Sequence, residues 1–325
     1  MAVLGGAATW PLVLRAQPSA MPVIGFLHSA SSGPFARHVA AFKQGLSDGN
    51  AGYVEGRNVK IDYRWADGRD DRLNALAMDL VNRQVSLIFA AGGMRSAEAA
   101  KAATETIPIL FIAGSDPIKA GLVSSLNRPG GNATGVSNQT TEMIGKRLEL
   151  LREVSGESLP RSAKIAMLVT SAPTVEKEEM EFVEGNALVV LKLGAGREFD
   201  PREYENRFDL AVKSGARALL VSADPFFTNW RDLIVELAAK RALPAIYPWR
   251  EYVTAGGLAS YGPDIAEEYR QIGRYAARIL KGQKVADLPV EQPAKFEMVI
   301  NLKTAKVLGL TLRRITLVRA SELIE

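Results

Sequence analysis

The sequence predicts an α/β protein of two open Rossmann-like lobes, each built on a parallel central sheet, with a ligand cleft between them. Three observations carry that prediction. Apolar runs of strand length alternate with amphipathic helical stretches along the chain, as βαβ units require. The plan occurs twice: "LFIAGSDP" at 110–117 returns as "LLVSADPF" at 219–226, and "PVIGFLHSA" at 22–30 is mirrored by "AKIAMLVTSAP" at 163–173. Three glycine- or proline-marked extended segments, at 127–141, 256–264 and 288–300, stand near the lobe boundaries and predict three crossovers.

The elements follow in order. "PVIGFL" (22–27) is a short β-rich run that ends in a serine-rich loop, and "FARHVAAFKQGLSDG" (35–49) has helical spacing. "NVKIDYRW" (58–65) alternates as a strand does, and "DRLNALAMDLVNR" (71–83) is an amphipathic helix opened by acidic residues. "VSLIFAAGG" (85–93) and "IPILFIAGSDP" (107–117) read as buried strands. In the second half, strands are expected at 163–173, 186–193, 217–226 and 243–249, and helices at 142–154, 228–242 (capped by Thr228 or Asn229) and 265–280. The lobes are accordingly expected as 21–136 with 258–290, and 137–257 with 291–325.

Composition bounds the function. Hydrophobic residues at 47% and charged residues at 23% are the balance of a soluble globular chain, and 325 residues suffice for two cores. The net charge of +4 is scattered, without a basic tract, which argues against a nucleic-acid partner. Zero cysteines exclude disulfides, thiol catalysis and thiolate metal sites. His28 and His38 have no acidic partner at a metal-ligand spacing, and read as a loop residue and a helix-surface residue. No G-x-S-x-G elbow occurs, so no histidine-based triad is expected. Residues 1–20 have the apolar, small-residue character of the end of an export signal, too short and interrupted for a bilayer span, with a mature start near Gln17.

Longer stretches carry a resemblance. "GYVEGRNVKIDYRWADG", "SLNRPGGNATGVS", "RLELLREV", "AIYPWREYVTAGGLASYGPD" and "KFEMVINLKTAKVLGL" resemble, in order and spacing, the ABC-transporter substrate-binding family that includes the tryptophan-binding proteins. The likeness covers nearly all of 21–325. It implies a type I periplasmic binding protein fold, an exported (periplasmic) location by a twin-arginine-type signal, no cofactor, and permease subunits of an ABC transporter as partners. One loop departs: "TSAPTVEKEEMEF" (170–182) stands where relatives carry an Asn-Pro-rich loop, so ligand identity does not transfer.

Ligands of open α/β sheets bind beyond the carboxyl ends of the strands. In the first half this selects Ser29, Ala30 and Ser31, then Gly92, Gly93 and Met94, then Ser115 and Asp116. In the second it selects Thr170, Ser171, Asp224, Phe226, Tyr247, Trp249 and Glu251, while Ser137 and Tyr261 come from the crossover segments. The set suits a small zwitterion. Loop N–H groups and helix dipoles hold a carboxylate, Asp224 or Glu251 holds an ammonium, and Phe226, Tyr247 and Trp249 supply flat apolar walls. An aromatic amino acid, a branched aliphatic acid, a peptide and a small aromatic acid all fit this inventory. Asp116 and Asp224, each before proline, have a second reading as helix caps. Phe227, Trp65 and Trp230 are assigned to packing, and Arg250 to a salt bridge or hinge contact.

Three functions are compatible with such a fold. A solute-binding component of an ABC importer would do no chemistry and close on its ligand. A repressor effector domain should follow a helix-turn-helix, and none precedes Pro22. A nucleotide-dependent enzyme should carry G-x-G-x-x-G or a P-loop, and neither occurs; "GAGREFD" at 194–200 lacks the third glycine.

Overall fold

The computed structural model describes residues 21–49, 52–140, 142–170, 182–183, 186, 188–193 and 200–325. The expected export-signal stretch and Ser171, with most of the 170–182 loop, lie outside the described residues.

The first lobe is a five-stranded sheet in the order β2-β1-β3-β4-β5. Its strands are β1 (Val23–His28), β2 (Lys60–Trp65), β3 (Leu87–Ala91), β4 (Ile109–Ala113) and β5 (Ala133–Ser137), all parallel to their neighbours. Every residue of β3, β4 and β5 is buried, which explains why these segments read as unbroken apolar or small-residue runs rather than alternating ones. Helix α1 (Ala36–Ser47) covers one face; α2 (Leu73–Asn82) and α3 (Met94–Ala103) cover the other.

After Ser137 the chain crosses to the second lobe. There α4 (Ile144–Ser155), β6 (Lys164–Thr170), β7 (Val189–Leu193), α5 (Pro201–Lys213) and β8 (Ala216–Val221) follow. Next come α6 (Pro225–Asn229), α7 (Arg231–Lys240), β9 (Ala245–Tyr247), α8 (Arg250–Thr254) and β10 (Ala259–Pro263). The expected helix over 228–242 is thus two helices, broken at Trp230, and neither Thr228 nor Asn229 caps the second. After Asp264 the chain returns to the first lobe as α9 (Ile265–Leu280), which packs along α1. That approach requires glycine: a Cβ on Gly45 would lie 1.9 Å from the Arg270 carbonyl oxygen, and one on Gly273 would lie 2.2 Å from that of Phe42.

The third crossover leads to β11 (Phe296–Asn301), α10 (Leu302–Val307), α11 (Arg314–Arg319) and β12 (Glu322–Ile324). The second sheet has seven strands in the order β12-β11-β10-β9-β8-β6-β7, with β10 and β11 antiparallel. Because β10 pairs with β9 and β11, residues 259–263 belong to the second sheet. The lobe boundary expected at 258 therefore moves to Asp264. Glycines made 256–264 look like a linker, but Gly262 serves close packing: a Cβ there would sit 2.2 Å from the Pro248 carbonyl oxygen.

The first crossover is bonded to α4 and to the third crossover, and α4 to β10. Arg147 on α4 is fully buried; its Nε donates to the Tyr261 carbonyl at 2.8 Å and its Nη1 to that of Thr140 at 3.2 Å. The Ser137 N–H donates to the Glu291 carbonyl at 2.8 Å, and the Glu291 N–H to that of Gly135 at 2.9 Å.

Candidate ligand-binding site

The carboxyl ends of both sheets face each other, and side chains from the two lobes meet there. The Ser31 N–H donates to Asn229 Oδ1 at 3.1 Å. Arg95 Nη2, on α3, donates to Asp224 Oδ2 at 2.6 Å. Glu251 Oε1, on α8, lies 3.4 Å from His38 Nε2 and 3.5 Å from Arg37 Nη1 on α1. Gly68 lies under the Phe226 ring, so that a Cβ at 68 would come within 3.3 Å of it. The lobes are closed on one another.

Between these contacts lies an interlobe cavity. The first lobe lines it with Phe35, His38, Gly92, Gly93, Ile112, Gly114, Ile265 and Tyr269. The first crossover contributes Asn138 and Thr140, and the second lobe Ala223, Pro225, Thr228, Trp249 and Glu251. Met94, Arg95, Ser115 and Asp224 continue it on one side. Three aromatic rings stand beside buried polar groups, the make-up of a small-ligand pocket. His38 Nδ1 and Asn138 Oδ1 are buried without a hydrogen-bond partner among the described residues, as expected of groups that wait for a ligand.

The electrostatics are uneven. Burial pushes the Glu251 carboxyl up, but the His38 contact and Arg37 outweigh that and hold it below its usual range. Burial alone would lower the Arg95 guanidinium; Asp224 and Asp70 more than offset this. Asp70, which also pairs with Arg95, is pushed up to about 6, first by burial and then by Asp224 and Asp71, against the pull of Arg95. His28 is held well below its usual 6.5, first by burial and then by His38. It is therefore neutral, and because the Ala30 N–H donates to its Nδ1 at 2.9 Å, its proton sits on Nε2, 3.0 Å from the Tyr269 hydroxyl.

The sequence-selected residues divide into three groups. Gly92, Gly93, Trp249 and Glu251 line the cavity, with Met94 and Ser115 on its extension. Gly92 and Gly93 have φ of +80° and +90°, and a Cβ on Gly92 would fall 2.6 Å from His28 Nδ1 and Ser29 Oγ. A second group shapes the loops. The Ser29 hydroxyl donates to the Gly92 carbonyl at 2.6 Å, Ala30 is fully buried, and Ser31 bridges the lobes. Asp116 Oδ1 accepts from the Ile118 N–H at 2.8 Å and so caps a turn at 117–121 rather than the helix start of its second reading. Ser137 is buried at the first crossover. Asp224 caps α6 through the Phe226 N–H at 2.8 Å, while its Oδ2 accepts from Thr170 Oγ1 at 2.7 Å and from Arg95.

The third group lies elsewhere. Tyr247 is a correction: it is buried in the second-lobe core, stacked on Tyr252 at 4.9 Å, because β9 runs through the sheet centre. Tyr261 packs on Phe296 at 6.2 Å, away from the cavity, because β10 is a sheet strand and not a crossover loop. Phe226 is 7% exposed and packs on Phe227 and Gly68. Both histidines are also corrected: His28 is 0% and His38 2% exposed, since α9 covers the helix face that the sequence left open. Phe227 is core, Trp65 and Trp230 pack against the two cores, and Arg250 is paired with Glu322 at 2.7 Å and Glu297 at 3.5 Å. Sequence reasoning missed Phe35, His38, Arg95, Asn138, Thr228 and Tyr269. Tyr269 and His38 come from helices that meet only after a long excursion through the second lobe, so no local pattern marks them.

Two lobes, three crossovers and a closed cleft define a bilobal binding protein of the type I periplasmic kind. Comparison with known proteins gives the family: residues 32–324 match the ABC transporter substrate binding protein family, and the chain belongs to it. It is 29% identical over 263 residues to the Tyrosine-binding protein of Clostridioides difficile, covering 80% of this chain and 73% of that one. The solved ABC domain of a Streptococcus pneumoniae protein in complex with L-Trp superposes with a TM-score of 0.78 at 25% identity, covering 94% of this chain and 100% of the other. A conserved domain protein from Vibrio cholerae superposes with a TM-score of 0.81 at 23% identity, covering 94% and 100%. The chain is a substrate-binding protein of the ABC transporter family.

Proposed function

We propose that this protein captures an amino acid with an aromatic side chain in the interlobe cavity and delivers it to an ABC permease. The observation that carries the reading is the cavity wall: Phe35, Trp249 and Tyr269 enclose it next to the half-buried carboxylate Glu251. The two relatives named for tyrosine and solved with L-Trp support the same ligand class. Rings of this kind favour offset or edge contacts with an indole or phenol. Glu251 takes the ligand ammonium, because both oxygens of Asp224 are already engaged by Phe226, Thr170 and Arg95. The Gly93–Met94 turn at the start of α3 and Ser115 take the carboxylate. In this reading the protein works outside the cytoplasm, in the periplasm, and performs no chemistry: among the described residues that line the cavity, no nucleophile is paired with a base.

Titration calorimetry with L-Trp, L-Tyr, L-Phe and L-Leu tests the proposal. At least one aromatic amino acid should bind in the micromolar range or tighter and be recovered unchanged. Binding of L-Leu with equal affinity, or of no amino acid, would sink it.

A further inference from the structure

A second cavity, of about 450 Å³, opens between α9 and the third crossover. It shares no lining residue with the interlobe cavity. Its wall is acidic: Asp264, Glu267, Glu268, Glu291 and Glu297 face two cations, Arg274 and Lys295. Part of that charge is spent locally. Glu267 pairs with Arg274 at 2.6 Å, and Glu291 Oε1 accepts from Gln271 at 2.7 Å and from the Tyr275 hydroxyl at 2.8 Å. Among the described residues the Glu297 carboxylate pairs with Arg250 alone, at 3.5 Å, and burial, with Asp264 among its like-charged neighbours, raises its pKa.

Glu268 is the independent observation. It lines the cavity yet is 5% exposed, its Oε2 accepts from Asn138 Nδ2 at 3.0 Å, and its Oε1 has no hydrogen-bond partner among the described residues. Burial, with Asp264 adding to it, pushes its carboxyl up to about 8. A buried acceptor left unmade is costly, and a donor supplied from outside would relieve it.

We propose that this rear cavity is a binding site for a small organic cation, an amine or guanidinium, whose N–H groups donate to Glu268 Oε1 and to the carboxylates of Asp264 and Glu297. An organic cation fits better than a metal ion, because among the described residues no group of three or more potential ligands is placed to hold one. It also fits better than an anion or a neutral molecule: carboxylates outnumber cations in the wall, and a charge-assisted donor makes the stronger bond to each. The chain as a whole carries +4, so an organic cation has no general reason to adhere to it.

Agmatine, which carries an ammonium and a guanidinium, is the probe. Titration calorimetry on the wild-type protein should give saturable binding at one site, with or without an aromatic amino acid in the cleft. With the titrations run above about pH 8, where Glu268 is ionised, Glu268→Gln removes the charge at the bare oxygen, and Ala294→Trp fills the cavity from an exposed loop position without touching a carboxylate. Each should weaken agmatine at least ~10-fold, the effect of losing one charge-assisted contact or the space itself. If Glu268→Gln does not fold, Ala294→Trp alone decides. No saturable binding to the wild type, or undiminished binding in a folded variant, overturns the proposal. Because no lining residue is shared with the cleft, either outcome leaves the amino-acid reading to its own titration.

Discussion

Arg95 and Asp224 meet across the cleft, Nη2 to Oδ2 at 2.6 Å, one at the start of α3 in the first lobe and the other at the end of β8 in the second. The pair is well shielded, with side chains 16% and 5% exposed. Thr170 supports Asp224 from β6, and Asp70 holds Arg95 from its own lobe. The acid that the sequence assigned to the ligand thus joins the two lobes.

Arg95→Met should therefore open the ligand-free protein. Removing one partner of a shielded pair leaves an uncompensated charge and costs about 3–5 kcal/mol where burial is complete, less at this partial exposure. A closed state that is less populated lowers apparent affinity in proportion, so binding should weaken ~10-fold or more. Small-angle scattering should show a larger radius of gyration for the ligand-free variant. Unchanged scattering and affinity would show that the cleft stays closed without the pair.

Trp249→Ala should act on binding. Trp249 is half-buried at the cavity, so truncation removes wall area and an aromatic contact of about 0.5–1.5 kcal/mol beyond burial. The affinity for an aromatic ligand should fall ~10–100-fold, in line with losing a buried aromatic anchor. The melting temperature without ligand should move little by comparison. A large loss of stability with affinity intact would return Trp249 to the core.

How far the sequence reaches is clear from these residues. Buried parallel strands advertise themselves as apolar runs, and the repeated strand-to-Asp-Pro junction exposed the two halves. Asp224 caps a helix and Asp116 only a turn, and the junctions differ also in what else they hold. Among the described residues Asp116 bonds within its own turn, whereas Asp224 is fixed from β6 and from the other lobe. That difference depends on closure and has no local trace. Aromatic clusters mislead for a related reason. Tyr247 and Trp249 are two apart, but β9 ends at Tyr247, whose ring enters the core, and Trp249 caps the helix beyond the strand's end, where the cavity begins.

Glu251→Gln separates ammonium recognition from aromatic packing. Losing the charged partner of a buried ammonium costs on the order of 2–5 kcal/mol. The variant should lose most of its affinity for the amino acid that binds best. The analogue of that ligand without its amino group should bind wild type and variant within about threefold, since it never made the contact. Equal loss for both ligands would mean that Glu251 acts through its closure contact with His38 and Arg37 and not through the ligand ammonium.

Gly92→Ala tests the loop that carries the cavity. The residue has φ of +80°, and its new Cβ would meet His28 Nδ1 and Ser29 Oγ, both at 2.6 Å. Neither neighbour is free to yield: His28 is fully buried and bonded at both nitrogens, and Ser29 is bonded to Gly92 itself. The left-handed conformation adds roughly 1–2 kcal/mol for an L-residue. Chemical denaturation should show a loss of about 2–4 kcal/mol, within the range for overpacking plus strain. A loss below about 0.5 kcal/mol, the size of an ordinary surface change, would mean that the loop relaxes freely.

Glu268 predicts a pH dependence whose sign follows from its burial. Its carboxyl is raised from an ordinary value of 4.5 to about 8, with Asn138 donating to it and Asp264 repelling its charge. Between those values the folded protein holds a proton that the unfolded chain has released, so ν_N exceeds ν_U and stability falls as pH rises. The contribution is fully present below the unfolded value and is lost as pH approaches the folded one. Glutamine has no proton to lose. The wild-type protein should therefore lose more melting temperature between about pH 5 and about pH 8 than Glu268→Gln, by several degrees for a loss of a few kcal/mol. The variant should be the more stable of the two near the upper end, where the wild type must ionise a buried acid or hold its proton against the solvent. Calorimetric scans of both proteins across that range, in matched ionic strength, decide it. Parallel curves would mean that water reaches Glu268 in solution and that its carboxyl titrates as an ordinary one.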